Sequence, residues 1–200
     1  DRSILKIGKH TFMFSSRGCP YRCVFCFSSR YWETCRYFSA KYVIAEIEEL
    51  TNKYGVTFVS FFDDLFIADK KRLREIVPML KERGLNKTTK FSCLARANLV
   101  DDETADLLAE MNIKSVSMGL ESGNDRVLKY LKGEHISTET AVNAITRLRK
   151  RGMFVNGSFI IGAPDETEEE MMQTYDFIRK NPISLFDVNV LVPYPGTPLW

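Results

Sequence analysis

Six strand-like segments, separated by helical patterns, constrain the fold of this chain more than any other feature. β-Branched and aromatic residues dominate these segments, namely His10–Ser15, Val56–Phe62, Lys90–Leu94, Ser115–Leu120, Met153–Ile161 and Phe186–Val192. Apolar residues between them recur with the 3.6-residue period of helices. Such alternation favours a parallel sheet with right-handed crossovers, because a parallel neighbour requires a connection that returns to the same end of the sheet. The sequence therefore predicts an α/β fold with six parallel strands.

Several helix ends are marked by residues with strong positional preferences. Gly55 follows an apolar helical stripe and is typical of a helix C-terminus. Asp101 and Thr167 precede helical patterns, and Glu170 stands three residues after Thr167, as in a capping box. Pro78 lies inside a helical pattern, so we expect a kink or an early break of that helix.

Residues of types that could carry chemistry follow the predicted strands at the point where each strand ends. They are Cys19, Asp63, Asp64, Arg96, Glu121, Gly162 and Pro193. Because the carboxyl ends of parallel strands meet at one edge of the sheet, we expect these residues to line a shared site.

Three cysteines of the first such loop stand within eight residues, in the pattern Cys-x3-Cys-x2-Cys. They are Cys19, Cys23 and Cys26. Soft thiolates select zinc or iron–sulfur clusters, and three ligands leave one metal position open, which is typical of a reactive site. The alternative is a zinc site completed by Cys35 or His10. Cys93 lies on a strand pattern and is predicted to be a buried core thiol.

Composition narrows the class of protein. The five cysteines are clustered, which indicates a metal site in a reducing, cytoplasmic environment rather than a disulfide framework. No apolar run approaches the roughly 20 residues of a membrane span. A net charge of +2 gives no basic stripe, so the core is not expected to bind nucleic acid. Five basic residues near the cysteines form either a solvated charged loop or an anion-binding surface: Arg17, Arg22, Arg30, Arg36 and Lys41.

The cysteine pattern, with Phe25 before its third cysteine, resembles the signature of radical S-adenosylmethionine (SAM) enzymes. Four further segments resemble, in order, the later motifs of the subgroup that is often fused to a cobalamin-binding domain. They are FFDDLF at 61–66, GLESGNDRVLKYLKG at 119–133, FIIGAPDET at 159–167 and PYPGTPLW at 193–200.

The resemblance implies a partial (βα)6 TIM-like barrel of parallel strands. Cys19, Cys23 and Cys26 would hold a [4Fe-4S] cluster whose fourth iron is chelated by the amino and carboxylate groups of SAM. One electron would then cleave SAM into methionine and a 5′-deoxyadenosyl radical. The implied reductant is a protein of the flavodoxin or ferredoxin type.

The same resemblance assigns roles to residues after the strands. Phe25 would contact the adenine through its backbone, and Asp63 and Asp64 would bind the methionyl ammonium. Glu121 would bind the ribose, and Arg96 would pair with the SAM carboxylate or with Glu121. The remaining expected contacts, with the adenine and at the sixth strand, are Ile160, Ile161, Gly162, Val192 and Pro193.

Residues 1–200 are expected to form one radical SAM catalytic core within a longer protein that could also use cobalamin. Methyl transfer is the leading interpretation, with a cyclase as another; the alternative class is a zinc-binding or electron-carrying Fe–S module that does not cleave SAM. The final substrate is not specified by the sequence. An open barrel would leave apolar lining uncovered, so we expect unusual exposure of Phe61, Phe62, Phe66, Phe159 and Trp200.

Overall fold

The computed structural model describes residues 9–200, and its centre is one sheet of six parallel strands. In sheet order, which is also chain order, the strands are β1 (His10–Met13), β4 (Phe58–Phe61), β5 (Lys90–Ala95), β6 (Ile113–Glu121), β7 (Phe154–Ile161) and β8 (Leu185–Val190). The short strands β2 (Ser16–Arg17) and β3 (Arg36–Tyr37) pair as an antiparallel ribbon after β1. The predicted parallel α/β fold is confirmed; the ribbon was not predicted.

Helices connect the strands and cover one face of the sheet. They are α1 (Ser28–Tyr31), α2 (Ala40–Tyr54), α3 (Lys70–Glu82), α4 (Leu85–Thr88), α5 (Asp102–Glu110), α6 (Asp125–Lys132), α7 (Thr138–Lys150) and α8 (Glu168–Lys180), with 3-10 turns at Phe66–Ala68 and Ala97–Leu99. The predicted caps Asp101 and Thr167 are confirmed, and Thr167 forms a complete capping box with Glu170. None of the helices in this part of the chain is long and apolar enough to cross a membrane.

The helix α3 runs through Pro78 to Glu82, so an early break is wrong, while the alternative expectation of a kink stays a prediction. Pro78 lies on the exposed side of the helix, where water can solvate the carbonyl that the missing N–H leaves free. The opposite side buries Leu73, Ile76 and Leu80 completely. Burying each of these side chains stabilises the fold by about 1.5–3 kcal/mol, enough to hold the helix together across the proline.

Side-chain alternation along the strands separates an apolar core from a concave inner face. Phe61 points toward the helices, where its ring stacks on Phe66 at 4.2 Å and on Phe91 at 5.7 Å. The expected exposure is therefore wrong for Phe61, Phe66 and Phe159, which are at most 1% exposed. It is confirmed for Phe62 and Trp200, at 57% and 75%.

Candidate active site

A cleft of about 650 Å³ opens at the carboxyl ends of the strands and extends over the inner face of the sheet. The cleft is lined by nine of the site residues that were predicted from the sequence: Cys19, Cys23, Phe25, Cys26, Asp64, Arg96, Glu121, Ile160 and Val192. They come from segments that are far apart in the chain, and the parallel topology brings them to the same end of the sheet.

Asp64 and a helix end hold the cysteine loop at the mouth of the cleft. The Asp64 carboxylate accepts hydrogen bonds from the Gly18 N–H at 2.9 Å and from the Ser28 hydroxyl at 2.7 Å. On the other side of the loop, the Val24 N–H donates to the Leu131 carbonyl, near the end of α6, at 3.0 Å. The loop is thereby fixed at both ends of the cysteine pattern.

Asp63 is fully buried below the cleft and is absent from its lining, and its expected role in ammonium binding stays a prediction. Its carboxylate accepts from the Ser15 N–H, the Ser15 hydroxyl and the Ser16 hydroxyl, each at 2.6 Å. The guanidinium of Arg72, also buried, lies 3.7 Å away. Burial lowers the pKa of Arg72, and the charge of Asp63 opposes that shift. Asp63 therefore connects the segment before the cysteines to α3.

Arg96 joins the third strand of the sheet to the cysteine loop. Its Nη1 contacts Cys23 Sγ at 3.2 Å, its Nη2 donates to the Lys132 carbonyl at 3.0 Å, and its guanidinium lies 4.0 Å from the centre of the Tyr21 ring. Arg96 forms no ion pair with Glu121 within residues 9–200, where Glu121 pairs with Lys132. The expected pairing of Arg96 with the SAM carboxylate or with Glu121 stays a prediction.

Glu121 instead pairs with Lys132, a residue that sequence reasoning missed. Lys132 Nζ lies 3.2 Å from Glu121 Oε1 and also donates to the Gly119 carbonyl, and both side chains are buried. Burial raises the pKa of Glu121, while Lys132 opposes the shift. The signal for Lys132 in the sequence is weak, because a lysine in the last turn of a helix is ordinary.

The backbone at Glu121 is arranged to aim its carboxylate into the cleft. Glu121 has a left-handed φ of 61°, and the pairing of β6 with β7 shifts register between Gly119 and Glu121. A Cβ on Gly119 would lie 2.2 Å from Glu121 Oε1, so only glycine leaves room for this orientation. Bulges and strained residues of this kind are common beside active sites.

The floor of the cleft is polar, which the sequence analysis did not predict. It is formed by inner-face side chains of β6, β7 and β8: Ser117, Asn156, Ser158, Asp187 and Asn189. Asp187 accepts from both the Ser158 hydroxyl and the Asn189 amide. The sequence did contain a signal for this polar floor. Small polar residues alternate with apolar residues in these three strands, which is typical of a sheet with one face exposed to solvent.

Ile161, Gly162 and Pro193 are not among the lining residues, although they adjoin ones that are. Gly162 has a left-handed φ of 82°, and its N–H and that of Ala163 donate to Glu166 Oε2 at 2.6 and 3.0 Å. The turn after β7 is thus closed on itself. The C-terminal segment reaches the cysteine loop, because a Cβ on Gly196 would lie 2.8 Å from the Phe27 ring.

The sequence profile described as Radical SAM superfamily matches residues 13–178. This chain belongs to the radical SAM superfamily. A methyltransferase of Pyrococcus horikoshii that is named as uncharacterized is 36% identical over 189 residues, which is 94% of this chain and 40% of that protein. The cytidylyl-2-hydroxyethylphosphonate methyltransferase of Streptomyces wedmorensis is 33% identical, over 94% of this chain and 36% of that protein. The chain spans about two fifths of the length of these relatives.

Among solved structures, the radical SAM methyltransferase TsrM from Kitasatospora setae superposes with a TM-score of 0.88 and 21% identity. The match covers 98% of this chain and 37% of TsrM. At that identity the likeness establishes the fold. The six-stranded open sheet is therefore the partial TIM-like barrel of radical SAM enzymes.

The radical SAM superfamily uses a [4Fe-4S] cluster together with SAM, and the cysteine loop of this chain fits that cluster. Cys19, Cys23 and Cys26 all line the cleft. Within residues 9–200, no group of three or more His, Cys, Asp or Glu side chains is close enough together to hold a single metal ion. A cluster does not require such a group, because each thiolate binds a different iron. Burial raises the pKa of Cys19 to about 11, so loading the loop must release protons.

The structure does not bring His10 to the cysteines. His10 is the first residue of β1, whereas the cysteines follow the other end of that strand, and its Nε2 lies 2.9 Å from the Ser60 hydroxyl. Cys35 lies beside the loop, since a Cβ on Gly18 would be 3.4 Å from its Cα, but it is not among the residues that line the cleft. Cys93 is buried in the core, as predicted.

Proposed function

We propose that this chain is the catalytic core of an enzyme that cleaves SAM reductively in the cleft. The supporting observation is that one cleft contains the three cysteines, the Asp64 carboxylate and the buried Glu121. When bound by Cys19, Cys23 and Cys26, a [4Fe-4S] cluster supplies one electron to the sulfonium of SAM, whose C5′–S bond breaks to give methionine and a 5′-deoxyadenosyl radical. The other residues of the site bind and orient SAM or shield the cleft from water.

Two residues of the chain balance charge around the proposed cluster and the methionyl end of SAM. Arg96 places a cation against the Cys23 sulfur, which offsets part of the negative charge of the thiolates. Asp64 accepts one hydrogen bond at each oxygen, and each carboxylate oxygen can accept a second. It therefore retains acceptor capacity for the ammonium of SAM, which can only donate.

The nucleoside end of SAM lies, in this proposal, along the later strands. Glu121 accepts from the ribose hydroxyls, with Lys132 holding its carboxylate in place. Phe25, Ile160 and Val192 supply the apolar surface for the adenine. The adjacent residues Ile161, Gly162 and Pro193 support this surface through the backbone of their turns.

In the whole protein, we propose, this chemistry serves methyl transfer. The two relatives described above are named as methyltransferases, and the TsrM structure contains cobalamin as well as a [4Fe-4S] cluster. Cobalamin bound by another part of the protein is therefore a natural methyl carrier, and residues 1–200 serve as one catalytic domain. A cytoplasmic one-electron donor of the flavodoxin or ferredoxin type supplies the electron. The final substrate binds against the polar floor of the cleft.

The proposal predicts SAM cleavage by the reduced, cluster-loaded protein even without its final substrate. With dithionite and SAM under anaerobic conditions, 5′-deoxyadenosine and methionine should form slowly in equal amounts, as measured by chromatography. The Cys23→Ala variant serves as the control and should form neither. A folded, cluster-loaded protein that never cleaves SAM would contradict the proposal and favour an electron-carrying Fe–S module.

The proposed role of Glu121 predicts a specific loss of SAM affinity. Glu121→Ala should weaken SAM binding by about 1–3 kcal/mol, because the ribose hydroxyls lose a charged acceptor. Because burial raises the pKa of Glu121, wild-type affinity should fall when the pH is lowered through that raised pKa. Glu121→Gln should remove this pH dependence. Equilibrium binding of SAM to the cluster-loaded protein measures both effects.

A matched control for Glu121 is Glu134→Ala, because Glu134 is an exposed carboxylate paired with Lys129 outside the cleft. The Glu134→Ala variant should bind SAM with wild-type affinity at every pH. Unchanged affinity in Glu121→Ala would remove Glu121 from the site.

A further inference from the structure

Basic side chains near the cysteine loop lack the ion pairs that basic side chains form elsewhere in the molecule. On the outer helices, Arg74 pairs with Glu103, Lys81 with Glu110 and Arg126 with Glu170. By contrast, five exposed basic residues of segment 17–41 form no ion pair with any residue in the described part of the chain: Arg17, Arg22, Arg30, Arg36 and Lys41. The segment also contains one exposed carboxylate, Glu33, which forms no ion pair within residues 9–200 either, so five basic residues against one acidic residue leave its surface net positive.

Two of these cations are held close to one indole ring. Arg17 and Arg36 are directly opposite each other in the β2–β3 ribbon, and their guanidinium groups lie 5.9 and 5.0 Å from the centre of the Trp32 ring. Like charges opposite each other on a strand pair repel, while cation–π attraction to Trp32 offsets part of that repulsion. An anionic group bound between them would remove the repulsion that remains.

Aromatic side chains extend this region. Arg17 lies 6.0 Å from the Phe14 ring, and Tyr31 packs edge-on against Trp32 at 4.9 Å. Phe14 and Tyr31 are 46% and 64% exposed. We call Phe14, Arg17, Tyr31, Trp32 and Arg36 the arginine–aromatic surface. Exposed arginine and aromatic residues are the types enriched at protein–protein interfaces.

The arginine–aromatic surface adjoins the cysteine loop but does not line the cleft. Trp32 packs beside Gly18, because a Cβ on that glycine would lie 3.1 Å from the Trp32 Cβ. The next residue, Cys19, lines the cleft. A protein bound to this surface would therefore lie close to the cluster ligands without occupying the space of SAM or of the final substrate.

We propose that the arginine–aromatic surface docks an acidic one-electron carrier protein, which transfers one electron directly to the cluster held by Cys19, Cys23 and Cys26. The inference rests on the proposed function and assigns its reductant to a place on the molecule. The carrier, a flavoprotein or iron–sulfur protein, is oxidised by one electron and the cluster is reduced by one; no bond is formed or broken in this step. Charge complementarity argues for an acidic partner.

The test compares two variants with equal changes in charge. Arg17→Glu/Arg36→Glu reverses the charge of the two cations near Trp32. Lys87→Glu/Lys114→Glu reverses the charge of two exposed lysines at the opposite end of the strands, which form no ion pair within residues 9–200. Both proteins, in their full-length, cluster-loaded form, are assayed for iron content, for binding of oxidised flavodoxin, and for 5′-deoxyadenosine formation. The last assay is driven either by dithionite or by flavodoxin with its reductase.

The arginine variant should keep wild-type iron content and wild-type dithionite-driven SAM cleavage. Its Kd and KM for flavodoxin should rise about tenfold or more, and the salt dependence of both should decrease. The lysine variant should match the wild type in every measurement. Arg17→Lys/Arg36→Lys should restore most of the flavodoxin affinity, because it restores the two charges.

Four outcomes would overturn the docking proposal, three of them in the variants and one in the choice of partner. The first is that the arginine variant binds flavodoxin as tightly as the wild type. The second is that this variant loses as much dithionite-driven SAM cleavage as flavodoxin-driven cleavage. The third is that the lysine variant loses as much flavodoxin affinity as the arginine variant. Tighter binding of single-stranded RNA than of flavodoxin, lost in the arginine variant, would likewise replace the carrier with a nucleic acid. If the wild type does not cleave SAM with dithionite, the proposed function fails, whereas flavodoxin binding still tests the surface.

Discussion

Replacing Cys23 with alanine should abolish iron–sulfur cluster binding. The wild type, prepared anaerobically, should contain about four iron and four sulfide per chain, and the variant close to none. The reason is that three cysteines line the cleft and Cys23 is the one against Arg96, so its loss leaves two thiolates and an uncompensated guanidinium. Iron and sulfide analysis and the loss of brown colour measure the effect.

Cys93→Ala is the matched control for this prediction. The Cys93 side chain is buried on the helix side of β5, alternating with Ser92 and Leu94 on the inner face. Burial also raises its pKa far above the usual range, which keeps it a neutral thiol. Cys93→Ala should retain its iron and its colour. Stoichiometric zinc in a colourless, folded wild type, or full iron in Cys23→Ala, would contradict the cluster assignment.

Replacing Asp63 with alanine should lower the free energy of unfolding by about 3–5 kcal/mol. The change leaves the buried Arg72 charge without its counter-ion, and removing one partner of a buried pair has a cost of this size. It also removes the acceptor of three hydrogen bonds from Ser15 and Ser16. Urea denaturation of the cluster-free protein measures the loss without interference from the cofactors.

Asp64→Ala is the companion experiment, because the Asp64 carboxylate is exposed and accepts two hydrogen bonds from the described part of the chain. The free energy of unfolding of Asp64→Ala should fall by about 1 kcal/mol. The larger effect of this variant should be on cluster retention and on SAM affinity. The opposite pattern, with Asp63→Ala as stable as the wild type but unable to bind SAM, would support the role that the sequence predicted for Asp63.

Features that depend on neighbours along the chain were predictable. The six strands, the caps at Asp101 and Thr167 and the grouping of the cysteines follow from residue type, periodicity and spacing over a few residues. The placement of strand-end residues at one mouth follows from parallel topology alone. These predictions depend on local geometry, which the sequence encodes directly.

Features that depend on which side chains meet across the fold were not predictable. Adjacent carboxylates in the segment FFDDLF have different environments, because the chain turns between them: Asp63 points into the protein and Asp64 toward the cysteine loop. The partner of Glu121 is Lys132 rather than Arg96, because the end of α6 returns to the inner face of β6. Neither pairing has a characteristic spacing in the sequence.

The sequence by itself determined the parallel α/β architecture, the family and the three cysteines, because each of these is written in periodicity or in a short motif. Only the tertiary structure decided that Asp63 lies outside the cleft, that the cleft has a polar floor, and that Arg17 and Arg36 lie close to one tryptophan and form no ion pair within residues 9–200. The physical reason is that burial and charge pairing depend on distances between segments, and those distances exist only once the sheet has assembled.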